Sequence, residues 1–122
     1  MLVELEKRGD ICLLRLHGRF ATGKDSAYLR GKTEEIKSSG CARVLADFTQ
    51  VEYLDSTGIG FLIELYTNLS KSPDGRFVLA NLNRRVREVL ELTRLANVMP
   101  IYPDETSALE ALRQPISAKQ AS

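Results

Sequence analysis

Strand-like and helix-like hydrophobic patterns alternate along most of this chain, and that alternation limits the possible fold more than any other feature of the sequence. Polar-apolar alternation over Val3–Arg8 and a mostly apolar run over Ile11–His17 flank the turn signal Gly9-Asp10, which predicts an opening β-hairpin. Beyond Gly18-Arg19-Phe20 the pattern becomes helical, with Leu29, Thr33 and Ile36 spaced by four and three and Ser39-Gly40 as a stop. Val44-Leu45-Ala46-Asp47-Phe48 is short and apolar, as expected of a central, interior strand ending near Asp47. The strongest helical pattern follows, with Ile59, Leu62, Ile63, Tyr66 and Leu69 on one stripe and Lys71-Ser72-Pro73-Asp74-Gly75 as its end. Arg76–Ala80 reads as another strand, and Asn83 as the N-cap of a helix carrying Val86, Val89 and Leu90. A short apolar run, Val98–Tyr102, precedes a last helix that begins with Asp104 and Glu105 and buries Ala108, Leu109 and Leu112. The expectation is an α/β fold: a mixed sheet opened by an antiparallel hairpin, with about four helices packed on it. Residues 1–113 form its single domain, and 114–122 a flexible C-terminal tail.

Composition narrows the function. A chain of 122 residues has room for one core. Seventeen Lys plus Arg against sixteen Asp plus Glu leave a net charge of +1, which supplies no field for drawing in nucleic acid. The hydrophobic share of 43% excludes a disordered chain. The uncharged stretch Ser56–Ile63 is far shorter than the roughly 20 apolar residues of a membrane span. Glu4, Glu6, Lys7 and Arg8 interrupt any N-terminal signal segment, so a cytoplasmic location is expected. Cys12 and Cys41 show neither metal-ligand nor redox spacing, and are expected to be reduced thiols with Cys12 in the core.

The chemistry-bearing stretch runs from Asp47 to Gly60, between a buried strand and the best helix. Ser56 falls at the helix start, where its hydroxyl can accept from the free amides of the first turn, while Gly58 and Gly60 keep that end open to a close neighbour. Phosphorylation there would add a charge of about −1.5 to −2, which the helix dipole tolerates. Beside Asp55 and Asp47, that charge would repel a partner that had accepted the bare hydroxyl. Other chemistries find little support. Gly58-Ile59-Gly60 lacks the third glycine of a dinucleotide fingerprint, and Leu54 stands where a Gly-x-Ser-x-Gly elbow needs glycine. Ser56, His17 and Asp47 supply the residue types of a triad without its spacing, and two aspartates without further ligands make a poor metal site. Arg84, Arg85 and Arg87 stand at a helix start, against the dipole, as a solvated cluster or a contact for an acidic partner.

Asp55-Ser56-Thr57-Gly58-Ile59-Gly60, preceded by the Val44–Asp47 strand and Val51-Glu52-Tyr53-Leu54, resembles the signature of STAS domains, specifically bacterial anti-sigma factor antagonists. Arg76–Leu79, Val86–Leu95, Ile101-Tyr102 and the acidic start of the last helix extend the resemblance over about Leu2–Leu112. Thr57 stands where the family usually has Ser, and Ala21 where an Asp commonly follows Gly-x-Phe. The resemblance implies a regulator without catalysis or cofactor of its own. Its unphosphorylated form would bind an anti-sigma factor serine kinase and release the sigma factor; phosphorylation at Ser56 would end binding, and a serine phosphatase would reset it. The implied docking surface is Asp47, Asp55, Ser56, Thr57, Gly58, Ile59 and Gly60, with Tyr53 and the Phe20–Gly23 loop as lesser additions. No nucleic acid, metal or membrane insertion is implied, and homodimerisation is left open. The alternative is a non-switching STAS module, a subunit of a signalling scaffold or of a lipid or anion transporter, with Ser56 serving only as a cap.

Overall fold

Gly9 takes a φ of 63°, a left-handed value at the first position of a two-residue turn, and so brings β1 (Leu2–Arg8) back against β2 (Ile11–Phe20). The two strands pair antiparallel from Leu2 opposite His17 to Arg8 opposite Ile11. This computed structural model describes residues 2–20 and 26–114, so the loop expected over Phe20–Gly23 lies outside the described residues beyond Phe20, as does the tail beyond Gln114. The remaining elements follow in the order α1 (Ser26–Ser39), β3 (Arg43–Leu54), α2 (Ser56–Ser70), β4 (Arg76–Ala80), α3 (Arg84–Leu92), a 3₁₀ turn at Leu95–Asn97, β5 (Ile101–Tyr102) and α4 (Glu105–Arg113).

The sheet runs β1-β2-β3-β4-β5, and every pair after the hairpin is parallel. Strands added in one direction through right-handed crossovers place their helices on one face. Accordingly α1, α2 and α3 bury Leu29, Ile36, Phe61, Leu62, Leu65, Val86 and Leu90 against Cys12, Leu14, Val44, Ala46 and Phe48. The intervening positions, Ile11, Leu13, Leu45 and Val78, face the other way, where α4 covers them with Ala108, Leu109 and Leu112. Beyond β5 the chain turns back under the sheet, so α4 lies alone on that face among the described helices.

The sequence-based expectations hold for the hairpin, for α1, for the central place of β3 and for α4, and four details differ. First, β3 does not end near Asp47 but continues to Leu54. It follows β2 through two register shifts, one between Arg15 and His17 and one between Gly18 and Arg19, where Gly18 has a φ of 88°. Each shift leaves an extra residue on β3 and changes which side chains face the helices, so Val51 and Leu54 join the same core as Val44, Ala46 and Phe48. Second, α2 buries Gly58, Phe61, Leu62, Leu65 and Leu69, whereas Ile63 is 42% exposed. The helix is apolar on more than one side, and Phe61 with Leu65 claims the core in place of Ile63. Third, the apolar run Val98–Tyr102, to which the sequence assigned no element, contributes a two-residue edge strand. Fourth, Cys12 and Cys41 are joined in a disulfide. The β2-α1-β3 crossover returns the chain beside Cys12, which pairs with Val44, and leaves the two Cα atoms 5.9 Å apart, within the roughly 4.4–6.8 Å that a bridge spans.

Candidate functional site at the start of α2

The end of β3 passes directly into α2, and Asp55 makes the junction. Its backbone is extended, with φ −107° and ψ −169°, and its Oδ1 accepts from the amides of Thr57 at 2.9 Å and Gly58 at 3.3 Å. Its carbonyl accepts the first helical bond from Ile59 N. Asp55 is therefore the N-cap, correcting the expectation that Ser56 would be. Ser56 is the first residue of the helix, exposed, and its hydroxyl has no hydrogen-bond partner among the described residues. Thr57 and Ile59 are half-buried, Gly58 is buried and Gly60 is exposed. A Cβ at Gly60 would meet nothing within 4 Å, so this turn presents little side-chain cover.

Tyr53 flanks the turn, 42% exposed, with the Arg85 guanidinium 5.6 Å from its ring centroid. The α3 start is tied to this end of β3 by Asn83. Its Oδ1 caps Val86 N at 2.8 Å, while its Nδ2 donates to Val51 O at 3.0 Å and Glu52 O at 3.3 Å. Arg84 and Arg87 of the same cluster pair with Glu88 and Glu91 one turn on, which offsets their unfavourable place at the positive end of α3.

Asp47 does not join this group. It sits near the middle of β3 on the face covered by α4, while the α2 start belongs to the opposite face. Only 7% exposed, it accepts from Thr49 N at 3.1 Å, Thr49 Oγ1 at 2.6 Å, Asn81 Nδ2 at 3.0 Å and Arg15 Nη1 at 3.0 Å. Burial opposes its charge, but the bonds from Thr49 and Asn81 and the nearby Arg15 outweigh it, holding the carboxyl below the usual range. Arg15 also binds Glu105 of α4 at 3.0 Å, so the cluster fastens α4 to the strands. His17 lines the same cavity as Asp47 and bonds Glu4 at 2.6 Å, so a Ser56–His17–Asp47 triad does not assemble. Among the described residues no group of His, Cys, Asp or Glu is placed to hold a metal ion, and no helix is long and apolar enough to cross a membrane.

Sequence reasoning did not find Arg30, which lines a cleft with Ser56 between α1 and α2, because a lone cation on an exposed helix face carries no local signal. Nor did it find Asn81, whose φ of 62° places its side chain on Asp47.

Three crossover helices on one face of a mixed sheet, a fourth on the other, and an exposed serine in the turn after the central strand define a small α/β module whose distinctive surface is a helix start. The chain belongs to the STAS domain family, whose model matches residues 3–108. It is 24% identical over 110 residues to the anti-sigma F factor antagonist of Paenibacillus polymyxa, covering 90% of this chain and 93% of that one. The crystal structure of an anti-sigma factor antagonist from Mycobacterium paratuberculosis shares the fold with a TM-score of 0.83 at 21% identity, over 93% of this chain and 94% of that one. The Bacillus cell fate determinant SpoIIAA in its phosphorylated form does so with a TM-score of 0.70 at 22% identity, over 92% of this chain and 100% of that one.

Proposed function

We propose that this chain is an anti-sigma factor antagonist that works by partner switching, with Ser56 as its phosphoacceptor. The observation that carries this reading is the division of labour at the α2 start: Asp55 accepts from the Thr57 and Gly58 amides and leaves the Ser56 hydroxyl exposed and, among the described residues, unbonded. The names of its relatives support the same assignment. In the unphosphorylated state, Asp55 to Gly60 docks on an anti-sigma factor serine kinase and frees the sigma factor. The kinase binds ATP and its metal, so this chain needs no cofactor. In the switching step the Ser56 Oγ attacks the γ-phosphorus of ATP, its proton passes to a base on the kinase, and ADP leaves. The product carries about −1.5 to −2 charges next to Asp55, and that density expels the kinase surface that had packed there. A serine phosphatase restores the hydroxyl by hydrolysis. Residues 1–113 act as one STAS unit in the cytoplasm, without nucleic acid and without inserting into a membrane.

In the alternative, a non-switching scaffold or transporter module, Ser56 would serve only as a cap, and the capping by Asp55 favours the switching reading. The deciding experiment incubates the protein with ATP and candidate serine kinases of its own genome, followed by intact-mass spectrometry and peptide mapping. A single phosphoryl group on Ser56 is the expected result. Stable complexes with a scaffold or transporter subunit, and no transfer from any kinase, would overturn the proposal.

A further inference from the structure

Ser56 opens onto a cleft of about 270 Å³ between α1 and α2, which its role as acceptor does not use. Leu29 and Arg30 contribute the α1 side, and Ser56, Gly60 and Glu64 are among the α2 residues that line it. The volume lies just under the roughly 300–1,000 Å³ of pockets for drug-sized ligands, which suits a group attached to the protein better than a free molecule. Gly60 keeps the cleft open, since even a Cβ there would enter empty space. Arg30 is exposed and, among the described residues, is the one cation of α1 without an acidic partner, because Lys32 pairs with Glu35 and Lys37 with Glu34. A planar guanidinium offers paired N–H donors that match phosphate oxygens.

Resting on the reading that Ser56 is phosphorylated, we infer that Arg30 receives the phosphoryl group and draws it into the α1–α2 cleft. Among the described residues, the charged groups that share the cleft with Ser56 are Arg30 of α1 and Glu64 of α2, with Asp55 at the cap. Before modification Arg30 and Glu64 both line the cleft without pairing with each other. The phosphoryl dianion then gives Arg30 its acidic partner in preference to Glu64, because it carries more charge and more acceptor oxygens. The off state is thus held by a contact inside this chain, in addition to repulsion of the partner. Arg30 acts here as a positioning residue.

The test places phosphoserine at position 56 by co-translational incorporation, so no kinase is needed, and follows the second ionisation of the phosphate by ³¹P NMR. Helix dipole, Asp55 and Glu64 are the same in parent and Arg30→Gln, so the difference between them reports Arg30 alone. The expected result is a titration about 0.5–1 pH unit lower in the parent, the modest end of what a neighbouring opposite charge produces. Arg30→Lys should recover part of the shift. Phosphoserine at exposed Ser70, at the far end of α2, should titrate identically with and without Arg30. Gly60→Leu fills the cleft without changing charge, and should move the position-56 titration in the same direction as Arg30→Gln. Equal titration at position 56 in parent and both variants would overturn the inference. Failure of every kinase to modify Ser56 would instead sink the partner-switching reading, and leaves this titration fully readable.

Discussion

Two aspartates mark β3, Asp47 near its middle and Asp55 just past its end, and they are in opposite conditions. Asp47 accepts four bonds from Thr49, Asn81 and Arg15 and has almost no surface left. Asp55 accepts two backbone amides and remains half-buried beside an exposed hydroxyl. What a carboxylate can do is therefore set by how many donors already claim it. Asp47 holds strands and α4 together; Asp55 holds a helix end in shape so that the next residue is free to react.

The sharpest way to break this contrast is Asp47→Ala. It strands Asn81, Thr49 and part of Arg15, although Glu105 and Glu6 still pair with Arg15. Urea unfolding should show a loss of about 3 kcal/mol, with the α2 start unchanged in its affinity per folded molecule. The pH dependence has a definite sign. Because the folded-state pKa of Asp47 is lowered, the unfolded chain takes up the proton first, at about pH 3.9. The stabilisation is complete above that value and disappears as pH falls through the folded-state pKa. Asp47→Asn should flatten this acid limb, leaving the slope contributed by Glu6 and Asp104, whose pKa values are also lowered.

Next in size, Ser56→Asp should weaken kinase binding by about 100-fold, the cost of a like charge set against a fitted surface. Its folding free energy should stay within about 0.5 kcal/mol of the parent. Calorimetric titration and a thermal melt of the same sample measure both, and equal binding would refute the charge switch. Asp55→Ala should cost about 1 kcal/mol of stability through the lost cap, with Asp55→Ser recovering most of it. If Asp55→Ala instead cost as much as Asp47→Ala, the division between the two acids would be false. The smallest effect belongs to Arg85→Ala, about 0.5 kcal/mol from its contact with Tyr53, read from denaturation midpoints.

Features written in consecutive residues were legible beforehand. Gly9-Asp10 marked the hairpin, Asn83 the start of α3, and Ala108, Leu109 and Leu112 the buried side of α4. The cap at α2 was misassigned by one position because Asp55 and Ser56 are both good cap formers, and backbone dihedrals choose between them. Features that depend on distant neighbours were not legible. The far half of β3 is polar at Thr49, Gln50, Glu52 and Tyr53, and only its pairing with β2 makes it a strand. The same crossover brings Cys12 to Cys41, and packing of α1 on α2 brings Arg30 to the cleft of Ser56. Asp47 was grouped with Ser56 because the strand was expected to stop there, when seven more residues of strand intervene.

The two register shifts along β3 turn the distance from Phe48 to Ser56 into a count that must come out right. Val51 and Leu54 reach the helix-covered core only because each shift absorbs one residue. A substitution at exposed Thr49 or Gln50 leaves that arithmetic alone, whereas one deletion there would send Val51 and Leu54 toward the wrong face. Apart from Thr49, whose hydroxyl holds Asp47, this stretch of polar residues, which looks like a loop in the sequence, should therefore accept changes of side chain but not changes of length.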